Sequence, residues 1–345
     1  MKKISVLLMA LLGATALVAC NSGGGSSPSN NGGDPTPAPT PTPNTNGKWV
    51  QVGAPFANQV FAALPIFYDK ATNSVYLLNN LLYGTTQLCS IGADASSTTP
   101  WSCTTVTGLA DVSVSKVTSD SNGNLYVFGV DNNTSLPHPN FIYTINMASR
   151  AVTKASKIYE NYFDGSNYVE KPIEPRSSVG GFNYYGGKLY WFATPYNIYS
   201  ESAMSVSPDG GAVTISAVSQ GFKSSDVSEI NILGKRYSYY SISGSFVKSS
   251  LLGTDLQDWV SSASSPYDFT IQGDYLYTCG SVLSNPVQQI RLDATSATPW
   301  TSLSHDGIAG VCMSITHGSG YLFANAQVAQ DGFLTPPFTL VKYKY

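Results

Sequence analysis

Apolar residues along this chain come in short runs that alternate with polar ones, and no stretch reads as an amphipathic helix. One pattern recurs: Ser74-Val75-Tyr76-Leu77, Asn124-Leu125-Tyr126-Val127-Phe128, Lys188-Leu189-Tyr190-Trp191-Phe192, Tyr237-Ser238-Tyr239-Tyr240, Tyr275-Leu276-Tyr277 and Gly320-Tyr321-Leu322-Phe323. Each is apolar and aromatic and is bounded by Gly, Asn, Asp or Ser, which predicts a strand closed off by turns. A further strand is predicted after each anchor, as in Phe141-Ile142-Tyr143-Thr144-Ile145-Asn146 and Phe338-Thr339-Leu340-Val341. Another opens with tryptophan in four of the units, at Trp49, Trp101, Trp259 and Trp300. Residues 48–345 therefore read as all-β.

The anchors are spaced by roughly 40 to 65 residues, near the period of propeller blades. An internal match supports a true repeat: Asp94-Ala95-Ser96-Ser97-Thr98-Thr99-Pro100-Trp101 and Asp293-Ala294-Thr295-Ser296-Ala297-Thr298-Pro299-Trp300 agree at six of eight positions. Six units of four strands account for the chain, with the last one short of its tryptophan strand. That strand is supplied from the other end, by Lys48-Trp49-Val50-Gln51-Val52. The expectation is a six-bladed β-propeller closed by an N-terminal strand, which leaves few exposed edges. Seven blades of about 43 residues without a shared blade are the alternative. The succession of Leu-Tyr-Val-Phe-Gly, an Ile-Tyr-Thr-Ile strand and a tryptophan strand resembles kelch-type propellers over nearly the whole of 48–345. The paired glycines of a strong kelch signature occur near a strand only as Gly180-Gly181, so the resemblance is to a degenerate member.

Residues 1–19 have the parts of a secretory signal: Lys2-Lys3, an apolar run over 4–18, and small residues before Cys20. The run is shorter than the roughly 20 residues that cross a bilayer as a helix. Leu17-Val18-Ala19-Cys20 resembles the bacterial lipobox. The resemblance implies that Cys20 is acylated (with palmitate among the fatty acids) and becomes the mature N-terminus. Asn21 in place of Asp implies outer-membrane sorting in a Gram-negative envelope, facing the periplasm or the surface. The segment 20–47 is nearly all Ser, Gly, Asn, Pro and Thr, and such composition predicts a disordered tether. Its Pro35-Thr36-Pro37-Ala38-Pro39-Thr40-Pro41-Thr42-Pro43 stretch should be stiff, at about 3.1 Å per residue in polyproline II.

With Cys20 acylated, four cysteines remain, an even number in an oxidising compartment with three possible pairings. Strand placement selects Cys89–Cys103, on the third and fourth strands of the first blade. It also selects Cys279–Cys312, at strand ends on neighbouring blades. No Cys-x-x-Cys occurs, and neither a metal nor a cofactor is expected.

Charged residues are only 11% of the chain, and loss of Lys2 and Lys3 deepens the formal net charge of −3. With no basic stripe, nucleic acid is excluded as a partner. Nucleophile-elbow, phosphate-loop, zinc-protease and dinucleotide signatures are all missing from the sequence. His138 and His305, beside Asp131 and Asp306, map to one loop face and His317 to the other; solvated loop polar groups are the default reading. Asp120-Ser121-Asn122-Gly123-Asn124 starts like a calcium loop but leads straight into a strand, so a hairpin turn is expected. Ser207-Pro208-Asp209-Gly210-Gly211-Ala212-Val213-Thr214 resembles the Asp-box turn of sialidases, a structural element in that family.

The segment 159–176 reads as a long inter-blade loop carrying Tyr159, Glu160, Tyr162, Phe163, Asp164, Tyr168, Glu170, Glu174 and Arg176. Loops of that length in compact domains are usually functional or disordered. Aromatics interleaved with acids suit sugar or peptide contact. The loops 131–140, 194–201 and 326–337 are expected on the same face. The functional expectation is a lipid-anchored, non-catalytic propeller that binds a protein or glycan in the cell envelope. The alternative is a glycan hydrolase or lyase acting through Glu160, Asp164, Glu170 or Glu174.

Overall fold

A computed structural model of the chain describes residues 47–56, 65–79, 85–133, 139–171, 173, 180–193, 202–217, 227–233, 237–242, 245–250, 257–261, 266–280, 286–308, 310–330 and 333–345. All of them belong to the compact unit Thr40–Tyr345. Cys20 and the signal and tether up to residue 46 lie outside the described residues, as do His138, Glu174, Arg176 and the loop 194–201.

After an N-terminal strand β1 (Val50–Gln51), the strands among the described residues fall into six sheets, five of four strands and one of six. The first contains β2 (Ile66–Asp69), β3 (Ser74–Asn79), β4 (Gln87–Gly92) and β5 (Ser102–Thr105). In the second, β6 (Val112–Ser119), β7 (Asn124–Asp131), β8 (Asn140–Asn146), β9 (Ala151–Phe163) and β10 (Tyr168–Lys171) pair in sequence order. The third holds β11 (Gly180–Tyr185), β12 (Lys188–Ala193), β13 (Ser202–Val206) and β15 (Thr214–Ala217), while β14 (Gly211–Ala212) leaves it to pair with β9. The fourth is β16 (Val227–Leu233), β17 (Tyr237–Ile242), β18 (Ser245–Ser250) and β19 (Gln257–Ser261). The fifth is β20 (Pro266–Gln272), β21 (Tyr275–Gly280), β22 (Val287–Arg291) and β23 (Thr301–Ser302). The last joins β24 (Val311–Gly318), β25 (Tyr321–Gln330) and β26 (Phe333–Lys344) to β1.

Every anchor motif is the second strand of its sheet: β3, β7, β12, β17, β21 and β25. Where side chains are described, as in β3, β7 and β21, these strands are buried on both faces because a neighbouring sheet covers each side. In the first sheet, β3 is almost wholly buried, β4 partly, and the outermost β5 is exposed along its length. The core therefore lies between sheets. Leu125, Val127 and Tyr143 of the second sheet pack on Tyr76, Leu78 and Leu88 of the first. Phe128 and Ile142 meet Phe182, Leu189 and Trp191 of the third. Trp259 bridges to Phe269 and Leu276, Tyr277 to Ile315 and Leu322, and Phe323 and Phe338 to Tyr68 and Leu77. First strands adjoin as well, β6 to β11, β11 to β16, β16 to β20, β20 to β24 and β24 to β2. Sheets stacked face to face, with their first strands together, make a β-propeller.

Closure comes from the N-terminal segment. β1 pairs antiparallel with β26, Val50 opposite Lys342 and Gln51 opposite Val341. Stitches extend to both neighbours: the Trp49 N–H donates to the Asp306 carbonyl at 2.8 Å and the Ala54 N–H to the Thr99 carbonyl at 2.7 Å. Gly307, at φ +88°, makes room for this segment, since a Cβ there would overlap the Trp49 carbonyl.

The four tryptophans turn out to be rim bolts. Each donates its indole N–H to a backbone carbonyl of an adjacent sheet or its connections: Trp49 to Ser304 at 2.8 Å, Trp101 to Ala54 at 3.1 Å, Trp259 to Ala294 at 2.6 Å and Trp300 to Ser261 at 2.7 Å. A large ring with one polar atom suits a site that is apolar towards the core and backbone-lined at its end. Both expected disulfides are present. Cys89 and Cys103 face each other across β4 and β5 with Cα atoms 4.0 Å apart, and Cys279–Cys312 joins the fifth and sixth sheets at 4.9 Å.

Two expected loops are strands. Of the segment 326–337, the described residues 326–330 and 333–337 continue the β25–β26 ladder across a register shift, with Ala329 opposite Leu334 and Gln330 opposite Phe333. Most of the described part of 159–176 is likewise strand.

Candidate functional site

The acids and aromatics of 159–171 sit on a β-ribbon. Pairing of β8 with β9 ends at Ile158, opposite Asn140, whereas β10 takes up β9 from Glu160 onward. The ribbon thus runs on past the end of β8, with Tyr168 opposite Phe163, Val169 opposite Tyr162, Glu170 opposite Asn161 and Lys171 opposite Glu160. Its turn is held by Asp164, whose carboxylate accepts the N–H groups of Ser166 and Asn167, both at 2.9 Å. Those two amides, Asn167's first, hold the Asp164 carboxyl below the usual aspartate range. Gly165 supplies the left-handed φ of +103° that the turn requires.

Strand alternation sorts the side chains onto two faces. Lys157, Tyr159, Asn161 and Phe163, with Tyr168 and Glu170, form one face. Phe163 and Tyr168 are 49% and 76% exposed, two of the four exposed large hydrophobics among the described residues, and their ring centroids are 5.3 Å apart. Below them Lys157 pairs with Glu170 at 2.6 Å and covers the Tyr159 ring at 5.5 Å. Ile158, Glu160, Tyr162, Val169 and Lys171 occupy the other face. There Glu160 is only 3% exposed and Lys171 lies over the Tyr162 ring at 5.6 Å. Glu160 is therefore not a loop carboxylate open to a ligand, contrary to the sequence expectation. The placement in a strand face, two residues from Ile158, is what buries it.

The Asp-box-like turn props up this ribbon. β14 pairs in parallel with β9 at Ile158 and Tyr159, and the Val213 N–H donates to the Tyr159 carbonyl at 2.9 Å. Gly210, at φ +83°, lies against the Lys157 carbonyl so closely that a Cβ would collide with it. Asp209 forms an ion pair with Lys154 from the same strand.

A second cluster lies on the first strands. β6, β11, β16, β20 and β24 each carry a register shift against their partner strand. Bulges re-aim side chains. Directly after three of them come Lys116, Asp268 and Ser314, opposite Phe128, Cys279 and Asn325. Asp268 accepts the Ser314 hydroxyl at 2.7 Å and the N–H groups of Ile315 and Phe269, both at 2.8 Å. The Ile66 N–H donates to Ser314 Oγ at 3.1 Å, so one carboxylate ties the fifth, sixth and first sheets together. Burial pushes the Asp268 carboxyl up to about 6, against the lowering effect of its donors and of Lys116. Beside it Thr270 Oγ1 and His317 Nδ1 are hydrogen-bonded at 2.8 Å, and burial lowers the imidazole pKa. The sequence reading left His317 among solvated loop groups; it ends a first strand instead.

An acid whose folded pKa lies above its ordinary value stabilises the fold in its protonated form. Asp268's contribution should be present in full at pH below the ordinary aspartate value and lost as pH rises through about 6. Thermal melts of the protein and of Asp268→Asn at pH 5 and pH 7.5 check this. The wild type should lose midpoint relative to the variant at the higher pH, and parallel profiles would rule the assignment out.

The other candidates are structural. His305 and Asp306 are exposed in the turn that receives Trp49, where Asp306 pairs with Lys48 at 2.8 Å. Asp120 accepts the N–H groups of Asn122 and Asn124 at 2.7 and 3.1 Å, as a hairpin turn does. Among the described residues no cluster of His, Cys, Asp and Glu could hold a metal ion.

The chain matches no protein-family model and no curated protein. Solved structures similar to it include a gluconolactonase from Xanthomonas campestris, 12% identical, covering 86% of this chain and 98% of that one at a TM-score of 0.49. The WD40 β-propeller domain of Doa1 is 12% identical, covering 85% and 96% at a TM-score of 0.46. Apo AztD from Citrobacter koseri is 7% identical, covering 81% and 90% at 0.45. At such identities no activity carries over, since one fold hosts many functions.

Proposed function

We propose that this protein is a lipid-anchored binding module of the bacterial envelope, a kelch-like propeller of six blades, each formed by one of the six sheets. In this reading acylated Cys20 fixes the chain to the outer membrane and 21–47 is the spacer. The β9–β10 ribbon is the surface that meets a protein or glycan partner. The reading is carried by the adjacent, exposed Phe163 and Tyr168 on a ribbon that outruns its sheet. A two-stranded ribbon is marginal on its own, and adjacent rings exposed together are the kind of apolar patch that marks a contact site.

The hydrolase alternative has less support at this place. Asp164 serves its own turn, Glu170 is pinned by Lys157 and Glu160 is buried. Among the described residues, the acid with the carboxyl raised to about 6 is Asp268, and three donors hold it.

A photoreactive phenylalanine analogue placed at position 168 of the full chain in producing cells tests the reading. Irradiation should give adducts at 168 and none with the same analogue at Val50, which is 56% exposed on β1. Equal labelling at both positions, or none at 168, would discard the ribbon as the contact surface.

A further inference from the structure

We infer that the ribbon's ligand is a neutral glycan, an inference that rests on the ribbon being the contact surface. The argument is one of charge and spacing. Each charged side chain of the exposed face is already matched: Lys157 with Glu170 at 2.6 Å, and Asp164 with the amides of its turn. On the opposite face Lys171 sits over Tyr162 and across from Glu160. Lys157 and Lys171 stand against Glu160, Asp164 and Glu170, so the ribbon has a balance of −1 and offers no free positive charge to a polyanion or an anionic lipid headgroup. Neutral, hydroxyl-rich chains are what this surface can hold. They take hydrogen bonds from paired charges without breaking the pair, and their C–H faces pack on aromatic rings.

Order along the face fits that chemistry. From the tip inward come the Phe163–Tyr168 ring pair, then Asn161 and Glu170 side by side, then Tyr159 capped by Lys157. Successive levels are two strand residues apart, about 6.6 Å, so the three levels span about 13 Å, room for a short run of sugar units. The rings at the tip would stack on one sugar, and the Asn161 amide with the Glu170 carboxylate would bond hydroxyls further along the run. An extended peptide would instead have to pair with a strand edge, and β10 has only four residues for it.

Calorimetric titration of the full chain in detergent with neutral hexasaccharides (chitohexaose, cellohexaose, maltohexaose), and with hexagalacturonate as the polyanion, is the test. At least one neutral hexamer should bind more tightly than the polyanion. Tyr168→Ala should weaken it about tenfold or more, Asn161→Ala severalfold, and Tyr168→Phe little. The two rings protrude, so these variants keep the fold, and an unchanged melting midpoint confirms that. Preference for the polyanion, or neutral binding indifferent to Tyr168→Ala, overturns the inference. If no neutral hexamer binds although adducts form at 168 in cells, the ligand is a protein and only the glycan assignment falls. If neither occurs, the ribbon itself is not the site.

Discussion

Trp49→Ala is expected to cost the propeller about 3–5 kcal/mol, the range for emptying a buried large aromatic site. Trp49 is 3% exposed, packs in a tilted pair on Tyr343 with ring centroids 5.0 Å apart and donates to the Ser304 carbonyl. Its ring sits in the cluster shared by the fifth and sixth sheets, so a cavity there loosens closure and the sheet interface together. Trp300 is the internal control. It makes the same kind of indole bond, to Ser261, but its side chain is only half-buried. Trp300→Ala should therefore lose markedly less. Urea unfolding of the two variants at equal protein concentration reads the difference. A Trp49→Ala loss no larger than that of Trp300→Ala would mean the N-terminal segment merely lies on a ring already stable without it.

Cys20→Ser is expected to move nearly all of the protein from the membrane fraction to the soluble one. Anchoring by several acyl chains is worth about 0.8 kcal/mol per buried methylene, and none of that remains once the thiol is gone. Among the described residues no helix is long and apolar enough to cross a membrane. Fractionation of cells producing either form decides the matter, and unchanged partition of the serine variant would remove the lipoprotein proposal. Folding should be unaffected, because the composition of 20–46 predicts a segment with almost no apolar surface to bury.

The architecture was legible because each strand class carries a mark imposed by its surroundings. Second strands such as Leu125-Tyr126-Val127-Phe128 are apolar on both faces because sheets cover both sides. Four outermost strands carry a tryptophan at or near their start because its N–H bonds across the rim. The cysteine pairs could be read from strand placement alone. The ribbon was half legible: its aromatics and acids were singled out, but as a loop. Asp164-Gly165-Ser166-Asn167 between two Tyr-containing stretches is itself a hairpin cue. The interleaved acids masked it, since a buried Glu160 and an exposed Glu170 look alike in sequence. Lys116, Asp268 and Ser314 carried no signal. They are far apart along the chain and follow bulges, which shift the alternation by one residue without marking which side chain is re-aimed.

Closure and fold meet at one place, because the chain enters the last sheet directly after Gly47, whose N–H donates to the Tyr343 hydroxyl. Amide hydrogen exchange on the full chain measures whether that junction is part of the cooperative core. The N–H groups of Trp49, Val52, Ala54 and Phe56 donate to Asp306, Leu340, Thr99 and Phe338. They should exchange as slowly as those of β25 and β26, at the rate of global unfolding. Fast exchange at 49–56 while β25 and β26 stay protected would contradict the account.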